Sequence, residues 1–278
     1  MGIWEAIWKS IILGTVQGLT EFLPVSSSGH LTLFQQILRY DLGETGMMFV
    51  NVLLHFGTLI AVIAVFWRDI LALFKKPFKT LLMLIVATIP AGVVGILFNG
   101  DIEALFDPNA NAAWLIWLAI FFALTALMLL VTEFVASRQK KTSPLSWKHS
   151  VPMGLMQAAA LFPGISRSGS TIAAGVISGA KRDEVAKFSF LMSIPVILGS
   201  LAVEVYHLIK PAEGVAVAIG TGEIIGMVVG VVFSAVAGFF AIKLMLKVIQ
   251  KSNYKWFVVY LVALSLTCFW LSAAGILT

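Results

Sequence analysis

The sequence predicts an all-α integral membrane protein built as an inverted-topology repeat, in which each half contains a re-entrant helical hairpin and three transmembrane helices. Three observations lead to this prediction: the composition, the placement of the basic residues and a duplicated polar motif. Hydrophobic residues make up 59% of the 278 residues and charged residues only 12%. Soluble domains carry about 25% charged residues, so the chain is expected to cross a bilayer several times.

Six apolar segments approach or exceed the roughly 20 residues that a helix needs to span a bilayer. They are residues 47–66, 81–98, 113–132, 188–206, 224–242 and 256–277. The basic residues lie in the segments between these spans and not on one face. The net charge of +5 therefore does not indicate a nucleic-acid partner.

The distribution of Lys and Arg predicts the orientation of the chain, because basic loops stay in the cytoplasm. The predicted cytoplasmic segments are 67–80, 133–150, 180–187 and 243–255, and the predicted external ones are 39–46, 99–112 and 207–223. Both termini are then expected on the periplasmic side.

A polar motif occurs twice, 140 positions apart. Residues 14–31 read GTVQGLTEFLPVSSSGHL and residues 154–171 read GLMQAAALFPGISRSGST, with six of 18 positions identical. The apolar arms around the second copy have about a dozen residues each, and at ~1.5 Å per residue neither crosses a ~30 Å core. The pattern predicts re-entrant hairpins over residues 3–38 and 151–179.

One hairpin and three spans in each half give an odd number of crossings, so the second half is expected to be inverted relative to the first. The predicted units are residues 1–135, a cytoplasmic linker over 136–149, and residues 150–278. Inverted repeats place ligand sites where the two halves meet, near the bilayer midplane. Non-helical backbone is tolerated there only inside protein or a water-filled cavity.

The two motifs contribute complementary charges. Gln17 and Glu21 lie four residues apart and share a helix face, and a carboxylate at membrane depth needs a partner or an aqueous cavity. Arg167 lies at a predicted helix N-terminus, where free N–H groups and a guanidinium favour phosphate. With His30 added, the constellation suits phosphoryl transfer better than passive permeation.

Structural explanations exist for each of these residues. Serines often cap broken helices or bond across helices, and Glu21 and Arg167 could form an ion pair that only joins the halves. His55, inside a predicted span, is more simply explained as a packing residue than as a catalytic one. The weaker candidates for lining a cavity are Asn51 and Glu204, and the serines for which capping is an equal alternative are Ser26, Ser28 and Ser168.

The segments QGLTE, LPVSSSGHL and PGISRSGST resemble those of the bacterial undecaprenyl-diphosphate phosphatases of the bacitracin-resistance type. The resemblance covers essentially the whole chain. The family's motif of Glu or Gln, three residues and Glu is matched by Gln17 and Glu21, and its PGxSRSxxT motif is matched from Pro163 to Thr171. The type-2 phosphatidic-acid phosphatases share SGH and SR signatures. They also need an Arg-Pro pair and a histidine six residues after the SR arginine, where this chain has Ala173.

The resemblance implies hydrolysis of undecaprenyl diphosphate to undecaprenyl phosphate and inorganic phosphate, which recycles the cell-wall lipid carrier. It also implies bacitracin resistance, because bacitracin competes for the same diphosphate. The implied cofactor is a divalent cation, Mg²⁺ or Ca²⁺. The implied location is the bacterial cytoplasmic membrane, with the site open to the periplasm and surrounded by membrane lipid. The sequence leaves the oligomeric state open, a homodimer included.

The resemblance and the chemistry together predict a role for each site residue. Glu21 and Gln17 hold the metal or position water, Ser27 is the nucleophile or a phosphate ligand, and His30 is the acid/base. The predicted phosphate ligands are Ser26, Ser166, Arg167, Ser168, Gly169 and Thr171. A covalent phosphoserine and direct attack by water both stay open. The alternative from another class is a polyprenyl-phosphate transporter or flippase that uses the same anion site, which the fold alone does not exclude.

Overall fold

A computed structural model describes residues 2–139, 141–209, 220–251 and 253–277. Within these residues the chain forms ten α-helices and one isolated β-bridge, between Ser143 and Ala180. The first half contains α1 (Ile3–Phe22), α2 (Ser27–Leu38), α3 (Gly43–Leu73), α4 (Lys79–Phe106) and α5 (Trp114–Arg138). The second half contains α6 (Trp147–Ala159), α7 (Arg167–Ile177), α8 (Arg182–Ile209), α9 (Thr221–Lys251) and α10 (Lys255–Ala273).

Six of the described helices are long and apolar enough to cross a membrane, and they correspond to the six predicted spans. They are α3, α4, α5, α8, α9 and α10, with the apolar stretches Gly46–Leu73, Lys79–Phe98, Trp114–Arg138, Arg182–Val203, Thr221–Gln250 and Lys255–Ala273. The prediction of an all-helical, multi-pass protein is confirmed. Several helices continue into the predicted connecting segments: α3 ends at Leu73, α4 at Phe106 and α9 at Lys251.

Each half begins with a broken pair of helices, α1 with α2 and α6 with α7. Three of these helices are short, with 12 residues in α2, 13 in α6 and 11 in α7. The fourth, α1, has 20 residues and is therefore about 30 Å long. It packs along α9 through Gly14 and Gly18, whose missing side chains let the two backbones come into contact. The breaks lie where the sequence predicts them, and the depth of the pairs in a bilayer stays a prediction.

Equivalent helices of the two halves make equivalent contacts. Helix α1 packs on α9 of the other half, and its counterpart α6 packs on α4. The counterparts α3 and α8 pack on each other, as do α5 and α10. Gly14 lies against the backbone of Gly230, and the duplicated Gly154 lies against the backbone of Ala87. This exchange of partners is consistent with an inverted repeat.

The segment that connects the two halves is hydrogen-bonded to the second half. Ser143 accepts from Lys181 N at 3.0 Å and donates its own N–H to Gly179 O at 2.9 Å, which forms the isolated bridge. The structure places the two ends of the predicted linker in helices, because α5 continues to Arg138 and α6 begins at Trp147. The predicted division into residues 1–135, 136–149 and 150–278 stays a prediction.

Candidate active site

The two helix breaks are capped by duplicated serines. Ser26 Oγ accepts from Gly29 N at 3.4 Å at the start of α2, and Ser166 Oγ accepts from Gly169 N at 3.1 Å at the start of α7. Each bond satisfies a backbone donor that the first turn of a helix leaves free. Ser26 is therefore a cap, as the structural explanation predicted, and Ser166 has the same role in the second half.

The two tips bind each other. Gly164 N donates to Ser26 Oγ at 3.0 Å, and Ser168 Oγ donates to Leu23 O at 3.0 Å. All four residues belong to the helix breaks or their first turns, and they come from different halves of the chain. These bonds hold the start of α2 and the start of α7 next to each other, so both helix N-termini face one region.

Glu21 is the centre of that region. Its Oε2 accepts from Ser27 Oγ at 2.6 Å and from Gln17 Nε2 at 3.2 Å, and its Oε1 accepts from Arg167 Nη2 at 2.6 Å. The Glu21 side chain is only 7% exposed and that of Arg167 13%. The structure thus brings together the four predicted residues that carry the carboxylate, hydroxyl, amide and guanidinium groups. A buried carboxylate of this kind is stabilised by its ion pair and by charge-assisted hydrogen bonds.

Arg167 is fixed from its other side by α8. Its Nη1 donates to Ser189 O at 3.2 Å, and Thr171 Oγ1 lies 2.6 Å from Ser189 Oγ. Thr171, Ser168 and Gly169 are all buried and do not line the cavity described below. The structure therefore places these three predicted phosphate ligands behind Arg167, where they support its helix.

The imidazole of His30, the predicted acid/base, points away from Glu21 and does not line the cavity. Its Nδ1 bonds to Ser26 O at 2.7 Å, and its Nε2 bonds to Tyr260 Oη on α10 at 2.6 Å. The ring is 2% exposed and packs against Phe122 at 5.3 Å between ring centroids. Because a carbonyl only accepts, Nδ1 carries the proton and Nε2 accepts from the tyrosine. These two bonds, and not the helical spacing, turn the imidazole away from Glu21 and toward α10.

His55, which the sequence favoured as a packing residue, is the histidine that faces the site. Its Nε2 lies 3.8 Å from Glu21 Oε2, and its Nδ1 bonds to Asn51 O at 2.7 Å. Its side chain is 30% exposed, toward the cavity. Sequence analysis missed it because His55 lies in a different helix, 34 residues from Glu21, and no motif links the two.

A cavity of about 300 Å³ opens beside Glu21, Ser27 and Arg167. Asn51 lines it as predicted, and the side chain of Glu204 lies outside the described part of the structure. The polar residues of its wall are Thr20, Glu21, Ser26, Ser27, Ser28, Thr32, Gln35, Asn51, His55, Gln157, Ser166, Arg167, Ser193 and Ser200. Apolar residues, among them Val196 and Ile197 of α8, complete the lining. The wall therefore combines polar groups suited to phosphate with apolar groups suited to a hydrocarbon chain.

Comparisons with known proteins identify the family of this chain. A family model described as "Bacitracin resistance protein BacA" matches residues 10–267. This chain belongs to that family. The undecaprenyl-diphosphatases of Carboxydothermus hydrogenoformans and Halothermothrix orenii are each 38% identical to it. The matches cover 96% and 91% of this chain, and 98% and 93% of those two proteins. The resemblance predicted from the motifs is confirmed.

The fit of a divalent cation in this BacA-family protein can be judged from the oxygen atoms near Glu21. Among the described residues there is no cluster of three or more His, Cys, Asp or Glu side chains that could hold a metal by itself. Gln17 Oε1, however, is buried without a hydrogen-bond partner, next to the Glu21 carboxylate that its Nε2 contacts. Magnesium is commonly bound by one or two protein oxygens together with substrate phosphates. Glu21 lines the cavity and Gln17 does not, so the carboxylate fits a cation shared with a bound diphosphate, with Gln17 Oε1 beside it.

Proposed function

We propose that this protein is an undecaprenyl-diphosphate phosphatase, which hydrolyses undecaprenyl diphosphate to undecaprenyl phosphate and inorganic phosphate. The observation that carries the proposal is the 2.6 Å hydrogen bond from Ser27 to Glu21, whose other oxygen binds Arg167. A hydroxyl bonded to a base and placed beside a cation is the arrangement of an activated nucleophile. The names of the relatives support the substrate.

Arg167 and the N-terminus of α7 hold the terminal phosphate. The guanidinium has five donors, so it can bind phosphate oxygens while one donor stays on Glu21. The positive end of the α7 helix dipole adds to this attraction. The phosphorus atom then lies next to Ser27, which begins α2 on the opposite tip.

The chemical step uses Ser27 and Glu21. Ser27 Oγ attacks the terminal phosphorus while its proton passes to Glu21, and the bond from that phosphorus to the bridging oxygen breaks. Glu21 gives the proton to the departing lipid phosphate. Water then attacks the phosphoserine, Glu21 takes one of its protons, and inorganic phosphate leaves as the proton returns to Ser27 Oγ. His55 Nε2, at 3.8 Å from the carboxylate, orients Glu21.

Gln17 and Glu21 would hold the divalent cation, Mg²⁺ or Ca²⁺. The bound ion would supply positive charge that neutralises the diphosphate oxygens in a site with little water. Addition of EDTA should therefore lower the rate, and either ion should restore it.

The proposed setting is the bacterial cytoplasmic membrane, with the cavity open to the periplasm. The product is a lipid carrier that cell-wall synthesis reuses. Hydrolysis also removes the diphosphate that bacitracin binds. The alternative function is a lipid transporter. A transporter needs a positively charged group to bind the anionic lipid, but it does not need a hydroxyl bonded to a base. The Ser27–Glu21 bond therefore favours chemistry over transport.

The test is phosphate release from undecaprenyl diphosphate by detergent-purified protein. The wild type should release phosphate, and Glu21→Gln should reduce the rate at least about 100-fold, the lower range of a general base. Asp101→Asn, at an exposed position of α4, is the control and should keep the wild-type rate. If purified wild-type protein releases no phosphate but moves the lipid between the leaflets of vesicles, the protein is a transporter and the proposal is wrong.

A further inference from the structure

Gln157 lies on the cavity wall with an amide that binds nothing. The side chain belongs to α6, is 1% exposed and lines the same cavity as Glu21, Ser27 and Arg167. Neither its Oε1 nor its Nε2 has a hydrogen-bond partner, and no other side chain in the described part of the chain has two such buried atoms. A buried polar group without a partner is destabilising, so a ligand that supplies the partner is favoured.

Comparison with the duplicated position explains why this amide is free. Gln17 occupies the same place in the first motif, and its Nε2 donates to Glu21, four residues later on α1. The residue four positions after Gln157 is Leu161, which cannot accept a hydrogen bond. The second half has therefore kept the glutamine and has no carboxylate beside it, which leaves both amide N–H groups for a ligand.

The cavity needs such a donor. Among its described lining residues Arg167 is the only lysine or arginine, and its two terminal nitrogens are already bonded to Glu21 and to Ser189 O. A diphosphate presents oxygens on two phosphorus atoms, which exceeds what one shared guanidinium can satisfy. Gln157 forms no bond with Ser27, Glu21 or Arg167, so its amide is free to bind a part of the ligand other than the reacting phosphate.

We infer that the Gln157 amide donates to the phosphate group that stays attached to the lipid, and that it makes the site selective for two-phosphate ligands over one-phosphate ligands. This inference rests on the proposed function for the identity of the ligand. Gln157 is a binding and specificity residue in this account. It takes no part in the transfer of protons.

The test measures binding and needs no turnover. Methylenediphosphonate, which has two phosphorus atoms and resists hydrolysis, and orthophosphate are titrated into detergent-purified protein. Gln157→Leu should weaken the binding of methylenediphosphonate at least about tenfold, which is the effect of losing a hydrogen bond to a charged group. The same substitution should change the affinity for orthophosphate less than about twofold, because the reacting end of the site is intact. The ligand-free Tm should be unchanged or higher, because the substitution removes a buried group without a partner.

Two further variants complete the design. Gln157→Met keeps nearly the length of the side chain and removes the amide donors without adding a charge, so it should lose the same selectivity even if Gln157→Leu folds poorly. Gln139→Leu is the matched control, because Gln139 also has a buried Oε1 without a partner but lies outside the cavity and donates to Val176 O. It should leave both affinities unchanged.

The inference is wrong if both Gln157 variants lose affinity for the two ligands equally, if neither ligand is affected, or if wild-type protein does not bind methylenediphosphonate. A clear fall of Tm in Gln157→Leu with unchanged affinities would show that the amide has only a structural role. A wild-type protein that binds methylenediphosphonate selectively through Gln157 but hydrolyses no lipid diphosphate would refute the proposed function and leave this inference standing.

Discussion

Ser27 and Arg167 occupy the same position in the two copies of the motif, 140 residues apart. Each is the first residue of its helix, and the two bond to different oxygens of one carboxylate, Glu21. The duplicated geometry brings both side chains to Glu21. Because the residue differs between the two copies, Ser27 supplies a hydroxyl and Arg167 a guanidinium. An asymmetric chemical site thus arises at the centre of a nearly symmetric frame.

Arg167→Lys should keep the charge and lose the planar fork of donors. A lysine has its three donors on a single nitrogen, so it cannot reproduce the two separated nitrogens that reach Glu21 and Ser189 O while others bind a phosphate. We expect kcat/KM to fall at least about 100-fold, or about 2.7 kcal/mol of transition-state stabilisation. Arg138→Lys, at an exposed position, is the control. Near-normal turnover of purified Arg167→Lys with a reduced folded yield would mean that Arg167 only joins the two tips.

His30 should act by positioning α2, because its two ring nitrogens are engaged by Ser26 O and Tyr260 Oη. His30→Ala should lower kcat, and Tyr260→Phe should reproduce part of that loss, since it removes the same anchor on α10. The pH dependence of kcat should keep its shape in both variants. A His30→Ala profile that loses one titrating limb, with Tyr260→Phe equal to wild type, would support the acid/base role that the sequence predicted.

At the scale of the helices, glycines set how closely the broken pairs approach the spans. A methyl group at Gly14 would overlap with the backbone of Gly230, and one at Gly154 would overlap with the backbone of Ala87. Backbone cannot rotate away as a side chain can, so α1 would have to move off α9, or α6 off α4. Both movements would displace a tip that carries site residues.

Gly14→Ala and Gly154→Ala should each cost about 1–3 kcal/mol of stability, the range for overpacking in a well-packed core. Each should also lower phosphate release, because Glu21 and Arg167 depend on these helices. Gly92→Ala is the matched control, since nothing lies within 4 Å of the added carbon and alanine favours a helix. Thermal unfolding in detergent measures the effect. Equal Tm values for all three variants would contradict the close packing of α1 on α9.

Hydropathy predicted the helices well, and the motifs predicted only part of the site. The six spans follow from length and composition, and the breaks follow from Pro24, Pro163 and the serines beside them. The length of α1 was not predictable, because its packing on α9 depends on residues more than 200 positions away. The juxtaposition of Glu21 and Arg167 followed from the duplication. The orientation of the His30 imidazole could not be predicted from the duplication, because it is set by a hydrogen bond with Tyr260 on the last helix.

At the scale of the whole molecule, the proposed inverted repeat inserts the two halves in opposite orientations, and the site uses residues of both halves. The exchange of contacts between α1 and α9 and between α6 and α4 is what such an arrangement needs. The acidic connection after α4 and the basic one after α5 then lie on opposite sides of the membrane. The cavity opens toward the periplasm in the proposed orientation.

Single cysteines test this orientation in a protein from which Cys268 has been removed. Asn109→Cys, in the connection after α4, should react in intact cells with a reagent that does not cross the membrane. Ser143→Cys, in the connection between the halves, should react only after the membrane is opened. Labelling of Ser143→Cys in intact cells would reverse the proposed topology.

The most direct test of the central claim is rapid-quench mass spectrometry of the wild-type protein during turnover of undecaprenyl diphosphate. The account predicts a phosphate group on Ser27 in the quenched enzyme, no turnover by Ser27→Ala, and a wild-type rate for Ser137→Ala, whose hydroxyl is exposed on α5. The contradicting result is a Ser27→Ala protein that still releases phosphate at a substantial rate, together with no phosphoserine in the wild type at mid-turnover. Water activated by Glu21 would then be the nucleophile.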